Sequence, residues 1–212
     1  EIEKYNEVNI MGTAYMLELL SSINHKVTKI VIASSRAIYG EGKYLCPTHE
    51  IIYPNQRNKL DMDNREFNLK CDICNSELQL VATDESSKIH PTSIYGITKQ
   101  QQEQMVMIAA ESLGISVVSF RYQNVYGPGQ SLANPYTGIL SIFSTRILNG
   151  NDINIYEDGE ESRDFVYIED AVDATILGIE KEQANGQVFN VGSGVATTVR
   201  QVSEALKNHY NT

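Results

Sequence analysis

Two short apolar runs separated by one amphipathic helix constrain the fold of this chain more than any other feature. Residues 29–33 read Lys-Ile-Val-Ile-Ala, and residues 115–120 are again rich in β-branched side chains. Short runs that are apolar on both faces are typical of strands buried in a parallel sheet. Between them, residues 93–113 have helical periodicity and are closed by Gly114. Strand, helix and strand in this order predict an α/β fold with a mostly parallel sheet.

The same alternation continues through the rest of the chain. Apolar residues recur at spacings of three and four over residues 3–23, which predicts an amphipathic helix. We expect its apolar stripe to consist of Tyr5, Val8, Met11, Tyr15, Leu19 and Leu20. Further along, the patterns predict a helix over 138–148, a strand over 153–156, a helix over 168–180, a strand over 188–191 and a last helix from Thr198.

The charge balance disfavours one class of partner. Seventeen Lys and Arg residues oppose twenty-seven Asp and Glu residues among the 212, a net charge of −10, whereas nucleic-acid surfaces depend on excess basic residues. The sequence has neither a membrane-spanning run nor a signal peptide, so we expect a cytoplasmic protein with no nucleic-acid or membrane partner. Because Glu1 already lies in a helical pattern, we expect a fragment cut at both ends.

The segment 43–85 departs from the alternation. It is polar, lacks helical periodicity and holds all three cysteines, and a loop of this length inside a compact domain needs a reason. Cys46 and His49 form one ligand pair and Cys71 and Cys74 a second, each with two residues between the ligands. Two such turns can complete the tetrahedral site of a structural Zn²⁺, so we predict a zinc-ribbon-like insertion.

Two alternatives to zinc stay open at this point. The four residues can share this spacing by coincidence, or Cys71 and Cys74 can form a redox pair. Zinc is favoured because the insertion is too polar to have its own core, and metal binding would supply its folding energy. Four protein ligands leave no open coordination position, so the metal is expected to be structural. His25, His90 and His209 lack such partners and are expected at the surface.

Tyr95 and Lys99 stand four residues apart near the start of a predicted helix, and therefore on one face of it. A tyrosine with its ordinary pKa of about 10 is a poor base at neutral pH, but a neighbouring cation favours the phenolate. The pair is a candidate for general acid/base catalysis, although Tyr and Lys at this spacing are also common on helices for no chemical reason.

Two stretches beside this pair are expected where open α/β sheets bind ligands, at the carboxyl ends of strands: Ser-Ser-Arg-Ala-Ile-Tyr-Gly at 34–40 and Arg-Tyr-Gln-Asn-Val-Tyr-Gly-Pro at 121–128. Further along the chain follow Ser-Arg-Asp-Phe-Val-Tyr at 162–167 and Phe-Asn-Val-Gly-Ser at 189–193. Together with Tyr95-Gly-Ile-Thr-Lys99 and the opening Asn-Ile-Met-Gly-Thr at 9–13, they resemble the extended short-chain dehydrogenase/reductase family. These enzymes are NAD-dependent epimerases and dehydratases of nucleotide sugars.

The resemblance implies a Rossmann-like, doubly wound fold with Ser35, Tyr95 and Lys99 as catalytic residues. Tyr95 would exchange a proton with a sugar hydroxyl, and Ser35 would hydrogen-bond the same oxygen. Lys99 would hold the nicotinamide ribose and lower the pKa of Tyr95. The residues implied to contact NAD are Asn9, Ser34, Tyr95, Lys99, Tyr122 and Gln123.

By the same resemblance, Asn124 would contact the substrate together with Ser35 and Tyr95. Arg163 would bind its diphosphate, because a planar guanidinium pairs with phosphate oxygens in bidentate form. The competing interpretation for Arg163 is a surface ion pair with a nearby acid. For Ser34 and Asn124 it is loop hydrogen bonding at a strand end.

The chain departs from the family pattern at its start, where the glycine-rich phosphate loop is missing, so we expect its NAD site to be incomplete. We expect a partial NAD-binding domain over 1–125 with the insertion 43–85 inside it. A substrate-binding part over 126–212 would be interleaved with the last sheet elements. The resemblance also implies a homodimer through the opening helix and the Tyr95 helix, and packing of the same stripe on the chain's own sheet is the alternative.

Two positions bear on the reaction. Dehydratases of the family carry Asp-Glu directly after the catalytic hydroxyl residue, where this chain has Arg36 and Ala37. The resemblance therefore favours 4-epimerisation through a transient 4-keto sugar, with NAD supplying the hydride chemistry. Residues 121–130 with 134–138 look most like epimerases of deoxysugars such as dTDP-rhamnose. The alternatives are a reductase, dehydratase or decarboxylase of the same family, or a zinc-ribbon interaction module on an inactive scaffold.

Overall fold

The computed structural model describes residues 1–131 and 138–211. The chain forms two compact units. The first contains Glu1–Tyr122 and Asp173–Val191, and the second contains the described residues of Gln123–Val172 and Gly192–Thr212. Residues 134–137, part of the stretch compared with deoxysugar epimerases, lie outside the described residues.

Helices and strands alternate along most of the chain. The helices are α1 (Ile2–Tyr5), α2 (Gly12–Ser22), α3 (Lys59–Asp63), α4 (Ile94–Leu113), α5 (Ile139–Leu148), α6 (Ile168–Glu180) and α7 (Val199–Tyr210). The strands are β1 (Lys29–Ser35), β2 (Tyr44–Cys46), β3 (Glu50–Ile52), β4 (Gln79–Leu80), β5 (Ser116–Tyr122), β6 (Asn124–Tyr126), β7 (Ser162–Tyr167), β8 (Gln187–Val191) and β9 (Ala196–Thr198). None of the described helices has both the length and the apolar character that a membrane crossing requires.

The first unit is built on a parallel sheet with the strand order β1-β5-β8. Successive residues of β5 point to opposite faces of this sheet. Val117 packs with Leu17 and Val106 of α2 and α4. Phe120 lies so close to α6 that a Cβ at Gly178 would come within 2.5 Å of the ring. Helices therefore cover both faces, which confirms the predicted α/β, doubly wound fold.

The apolar stripe predicted for the first helix is not the face that packs on the sheet. Leu17 belongs to the core and Leu20 packs against it, whereas Val8 and Tyr15 are 60% and 68% exposed. A π-helical turn, Asn6–Met11, joins α1 to α2. Such a turn has i→i+5 hydrogen bonds and shifts the phase of the helix, so a 3.6-residue period extended through it assigns the wrong face.

Local capping fixes both ends of α4. The Ser93 hydroxyl accepts a hydrogen bond from the Gly96 N–H at 3.0 Å, as an N-cap does. Gly114 ends the helix in the left-handed conformation with φ +65°, which glycine adopts without strain. The helix predicted over 93–113 is confirmed to within one residue at its start.

A lysine from β1 holds the end of α6. The Lys29 ammonium donates to the carbonyl oxygens of Gly178, Ile179 and Lys181 at 3.1, 2.9 and 3.1 Å. The last carbonyls of a helix have no partner within the helix, and a cation there also interacts favourably with the helix dipole. The contact ties one edge strand of the sheet to the helix on its face.

Within the first unit, the segment after Gly40 forms a small antiparallel sheet with the order β3-β2-β4. Its two ends meet at a neck. There the Lys43 ammonium pairs with Asp84 at 2.6 Å, and the Lys43 N–H donates to the Thr83 hydroxyl at 3.1 Å. The polar segment is therefore a structured insertion whose two ends lie next to each other, at the neck formed by Lys43 and Asp84.

In the second unit, β7 pairs with β6 in parallel and with β9 in antiparallel orientation. The helix α7 follows β9 directly. The predicted strand over 153–156 is wrong, since residues 151–156 have no regular structure. The strand β7 pairs with β6 through residues 165–167 and with β9 through residues 162–164, and residues 153–156 join neither pairing, so their backbone groups have no ladder.

Candidate active site

Ser35 lies at the carboxyl end of β1 and is buried. Its hydroxyl accepts a hydrogen bond from the Ala37 N–H at 3.1 Å and so caps a short 3-10 turn, Arg36–Tyr39. Parallel sheets bind ligands at the carboxyl ends of their strands. The strand and the turn together hold this hydroxyl at the edge where a ligand is expected.

Tyr95 lies in the first turn of α4, and its phenol faces the Ser35 hydroxyl. Burial raises the pKa of Tyr95, and hydrogen bonding from Ser35 opposes this without cancelling it. The Tyr5 ring lies 5.7 Å away and adds to the rise. The pKa is therefore raised, in contrast to the expected lowering by Lys99, because burial dominates. The Tyr95 side chain is still 37% exposed, so a ligand can reach it.

Lys99 lies one turn further along α4, and its ammonium donates to the Gln102 side-chain oxygen at 2.7 Å. Gln102 donates in turn to the Thr13 hydroxyl at 2.8 Å, and Thr13 donates to the Asn9 carbonyl at 2.7 Å. The Asn9 amide reaches back to the Thr98 hydroxyl at 3.0 Å. Burial lowers the pKa of Lys99. A hydrogen-bonded path thus orients the ammonium.

Sequence reasoning missed Gln102 and also a buried ion pair beneath the sheet edge. Arg121 bonds Glu103 through Nη2–Oε1 at 2.6 Å and Nε–Oε2 at 3.2 Å. It also donates to the Tyr39 hydroxyl at 2.6 Å and to the Glu85 carbonyl at 3.1 Å. Burial alone would raise the pKa of Glu103, but the Arg121 charge, hydrogen bonding with Arg121 and Ser119, and the Ser34 hydroxyl together outweigh it, and the pKa is lowered. The sequence feature that could have indicated this ion pair is Arg121, which directly follows the apolar run 115–120.

Two residues implied to contact NAD have side chains directed into the first unit: the Ser34 hydroxyl is buried without a hydrogen-bond partner, and the Tyr122 hydroxyl is paired. The Ser34 side chain is buried and contributes to lowering the pKa of Glu103, so it faces α4. The Tyr122 hydroxyl lies 2.5 Å from the Thr175 hydroxyl of α6. Both hydroxyls therefore lie inside the first unit in this structure.

Three further candidates belong to the second unit. Gln123 packs beside Gly192, and Asn124 begins β6. Arg163 of β7 forms an ion pair with Glu161 and donates to the Ser162 carbonyl at 3.0 Å. In this structure Arg163 therefore forms the ion pair with a nearby acid that the competing interpretation expects.

The four predicted metal ligands converge. The two ligand pairs contact each other: Cys46 Sγ lies 3.6 Å from His49 Nδ1 and 3.6 Å from Cys74 Sγ, and Cys71 Sγ lies 3.6 Å from His49 Nδ1. The ligand atoms of the four residues all lie within 4.8 Å of one another. Sulfurs and nitrogen at these separations can surround one tetrahedral cation.

Backbone hydrogen bonds shape the two turns that carry these ligands. The Thr48 N–H donates to Cys46 Sγ at 3.5 Å. In the second turn, the Asn75 N–H donates to the Cys71 carbonyl at 2.8 Å, and Asn75 has a φ of +61°. Hydrogen bonding between Cys74 Sγ and the Ser76 hydroxyl at 3.3 Å, together with the Ser76 N–H, lowers the pKa of Cys74 to about 6. Donors aimed at sulfur favour the thiolate, which is the form that binds metals.

Residues 75–192, more than half of the chain, match the NAD dependent epimerase/dehydratase family. The chain belongs to this family. A dTDP-L-rhamnose 4-epimerase from Burkholderia thailandensis is 33% identical over 210 residues, which cover 99% of this chain and 56% of that protein. A putative UDP-glucose 4-epimerase from Methanocaldococcus jannaschii is 28% identical, covering 95% of this chain and 53% of that protein.

Members of the family with known structures have the same fold. The crystal structure of UDP-glucose 4-epimerase from Thermotoga maritima with UDP-glucose superposes with a TM-score of 0.75 at 32% identity, covering all of this chain and 56% of that one. Other members that match are named as a decarboxylase and a 4,6-dehydratase. The chain spans about half the length of the curated relatives it matches.

Proposed function

We propose that the protein containing this chain catalyses the NAD-dependent 4-epimerisation of a nucleotide sugar. The observation that supports this reaction is the pairing of Ser35 with Tyr95 at the carboxyl edge of the parallel sheet, with Lys99 one turn further along α4. A hydroxyl and a phenol on one sheet edge can hold a sugar oxygen and move its proton. The names of the relatives, which are 4-epimerases of UDP- and dTDP-linked sugars, point to the same reaction.

Tyr95 exchanges the proton of the sugar 4-hydroxyl in this proposal, and Ser35 hydrogen-bonds the same oxygen. The raised pKa of Tyr95 keeps the phenol protonated at neutral pH, which suits the return of the proton to the 4-keto oxygen. To accept a proton in the opposite step, the phenol needs a positive charge nearby. Lys99 can supply it by turning from Gln102 towards the tyrosine.

The Lys99 ammonium also fits the ribose hydroxyls of NAD. Its described hydrogen bond reaches a neutral amide oxygen, so further N–H donors remain for a ligand. NAD held there would supply the hydride acceptor and donor chemistry that oxidation and re-reduction of the sugar C4 require. Asn9 and Gln123 stay proposed contacts to NAD, and Ser34 and Tyr122 would act through their backbone groups.

One feature of the turn after Ser35 favours epimerisation over dehydration. The 3-10 turn after Ser35 carries Arg36 and Ala37, neither of which offers the carboxyl group that elimination of water from the sugar would use.

Asn124 is proposed to contact the sugar, and Arg163 to bind the diphosphate after leaving Glu161, since a guanidinium binds phosphate in bidentate form.

The test is the full-length protein with UDP-glucose, and separately with a dTDP-deoxysugar, without any added reductant. An epimerase interconverts the two C4 isomers under these conditions, whereas a reductase needs reducing equivalents. Tyr95→Phe should lower turnover by about 10²- to 10⁴-fold, because proton transfer is lost. The control is Tyr156→Phe, at a tyrosine that is 82% exposed. A strict need for reductant, or full activity of Tyr95→Phe, would contradict the proposal.

A structural Zn²⁺ at Cys46, His49, Cys71 and Cys74 is the metal that we propose for this protein. Convergence of the ligand atoms within 4.8 Å supports it, as does the choice of thiolate and imidazole ligands. The surrounding sheet has strands of only two or three residues, so the metal would supply much of its folding energy. With four protein ligands the ion takes no part in the sugar chemistry.

Metal analysis of the purified, reduced protein tests this site. We expect about one Zn²⁺ per chain, which a tetrahedral four-ligand site implies. Cys71→Ser should lose the metal, because it removes a ligand, whereas His209→Ala, outside the cluster, should retain it. A folded and reduced protein with near-zero zinc would contradict the assignment.

A homodimer is also proposed, on the basis of the family resemblance and one surface of the first unit. Val8, Met11, Tyr15 and Leu19 follow one another at spacings of three and four residues and are all exposed. Ile108 of α4 is 69% exposed. An apolar surface of this kind on two neighbouring helices is suited to burial against a second subunit.

A further inference from the structure

The metal-binding insertion lies in sequence between Ser35 and Tyr95, and its outgoing end packs against the segments that carry both. A Cβ at Gly40 would lie 2.1 Å from the His90 carbonyl oxygen, and a Cβ at Gly96 would lie 2.5 Å from the Ala37 carbonyl oxygen and 3.1 Å from Pro91. The His90 N–H also donates to the Ile38 carbonyl at 2.8 Å. Residues 90–92, here called the entry segment, are therefore packed tightly against the start of α4.

The insertion holds the entry segment through two polar side chains. Gln56 donates to the Thr92 carbonyl oxygen at 2.9 Å, one residue before the N-cap of α4. Asn55 lies 3.4 Å from His90 Nε2 and donates to the Asp72 carboxylate at 3.1 Å. The residue before them, Pro54, is fully buried, so this short stretch is anchored.

Asp72 links this contact to the metal site. It lies between Cys71 and Cys74 in the second ligand turn. The first ligand turn belongs to β2, which begins at the neck where Lys43 pairs with Asp84. A cation that joins the two turns would therefore fix Asp72, and through Asn55 the entry segment, relative to the neck.

We infer that the metal-loaded insertion positions Tyr95 against Ser35, with Gln56 and Asn55 as the positioning residues. The consequence for turnover rests on the proposed function, whereas the structural coupling does not. Because Gln56 bonds a backbone carbonyl beside the helix cap, its loss should loosen the first turn of α4 and leave the metal in place. A shift of the reacting group by a fraction of an ångström to one ångström is enough to slow a reaction markedly.

Hydrogen exchange measured by mass spectrometry on the full-length protein tests the coupling without any activity assay. Gln56→Glu keeps the size of the side chain but removes the N–H donor, and Asn58→Ala is the matched control, since Asn58 caps α3 elsewhere in the insertion. We expect exchange of residues 91–97 to rise about fivefold in Gln56→Glu, as loss of one hydrogen bond implies, and to stay unchanged in Asn58→Ala. Residues 104–113 of the same helix should not change, and zinc content should equal that of the wild type.

Removal of the metal is the second arm. A chelator should raise hydrogen exchange at residues 91–97 at least as much as Gln56→Glu does. Kinetic measurements are a third arm, in which Gln56→Glu should lower kcat with little change in KM. Unchanged exchange at 91–97 in both the variant and the stripped protein would overturn the inference. Absence of epimerase activity in the wild type would instead remove the proposed function and leave the exchange result standing.

Discussion

At the scale of single residues, the buried pair of Arg121 and Glu103 connects several parts of the first unit. Glu103 belongs to α4, and Arg121 comes from β5 and also bonds Tyr39 and the Glu85 backbone. Asn190 of β8 joins the group by donating its N–H to the Glu85 carboxylate at 2.7 Å. One guanidinium therefore holds the returning end of the insertion, the turn after Ser35 and the helix of Tyr95 together.

Glu103→Gln should destabilise the protein by about 3 kcal/mol near pH 7, because it leaves the buried Arg121 without its counter-charge. The lowered pKa of Glu103 means that its contribution is full above the ordinary carboxyl pKa and is lost as pH falls through the lowered value. The difference in unfolding free energy between wild type and variant should therefore shrink on acidification. Urea unfolding at neutral and acidic pH measures it, with the exposed Glu111→Gln as the control on α4. A pH-independent difference would contradict this account.

The resting place of Lys99 illustrates what spacing in a sequence leaves undetermined. Tyr95 and Lys99 do share a helix face, as their separation of four residues predicts. A lysine side chain, however, has four rotatable bonds, so the position of its ammonium depends on which acceptor is in reach. Gln102 provides that acceptor, and its own orientation depends on Thr13, a residue distant in sequence. The pairing of the metal ligands within each turn was predictable because short ligand turns are local, whereas the meeting of the two turns was inferred from the tetrahedral geometry of zinc.

At the scale of elements, a helix could be predicted well where residues close in sequence determine its two ends. Ser93 and Gly114 mark the ends of α4 because a hydroxyl cap and a left-handed glycine act within one turn of the chain. The π-helical turn before α2 and the missing strand at 153–156 depend on packing and on the edges of neighbouring strands. No pattern within the segment itself carries that information.

The start of α7 gives a test of such local control. The Thr198 hydroxyl accepts from the Gln201 N–H at 3.1 Å, and the Gln201 side chain accepts from the Thr198 N–H at 2.8 Å. Thr198→Ala should lower the free energy of unfolding by about 1 kcal/mol, the usual cost of losing such a cap. Thr198→Ser keeps the hydroxyl and should stay close to the wild type in urea unfolding. Equal losses in both variants would show that the threonine methyl group, and not the cap, is responsible.

At the scale of the whole molecule, the exposed apolar residues of α2 and α4 form the surface at which the proposed homodimer can be tested. If the proposed homodimer forms there, Tyr15→Glu combined with Leu19→Glu should halve the molar mass measured by light scattering, since two charges would be buried without partners. Leu60→Glu, at a leucine that is 75% exposed in the insertion, is the control and should leave the mass unchanged. A wild-type protein with the mass of a single chain would remove this part of the proposal.

The bond between Lys29 and the end of α6 makes one helix terminus dependent on an amine 150 residues earlier in the chain. Acetylation of this amine would cancel its charge and leave at most one N–H for three carbonyl oxygens. The last turn of α6 would then fray, and β1, which carries Ser35 at its far end, would lose a tether. Acetylation of one half-buried lysine would thus affect the strand that supports the reacting groups.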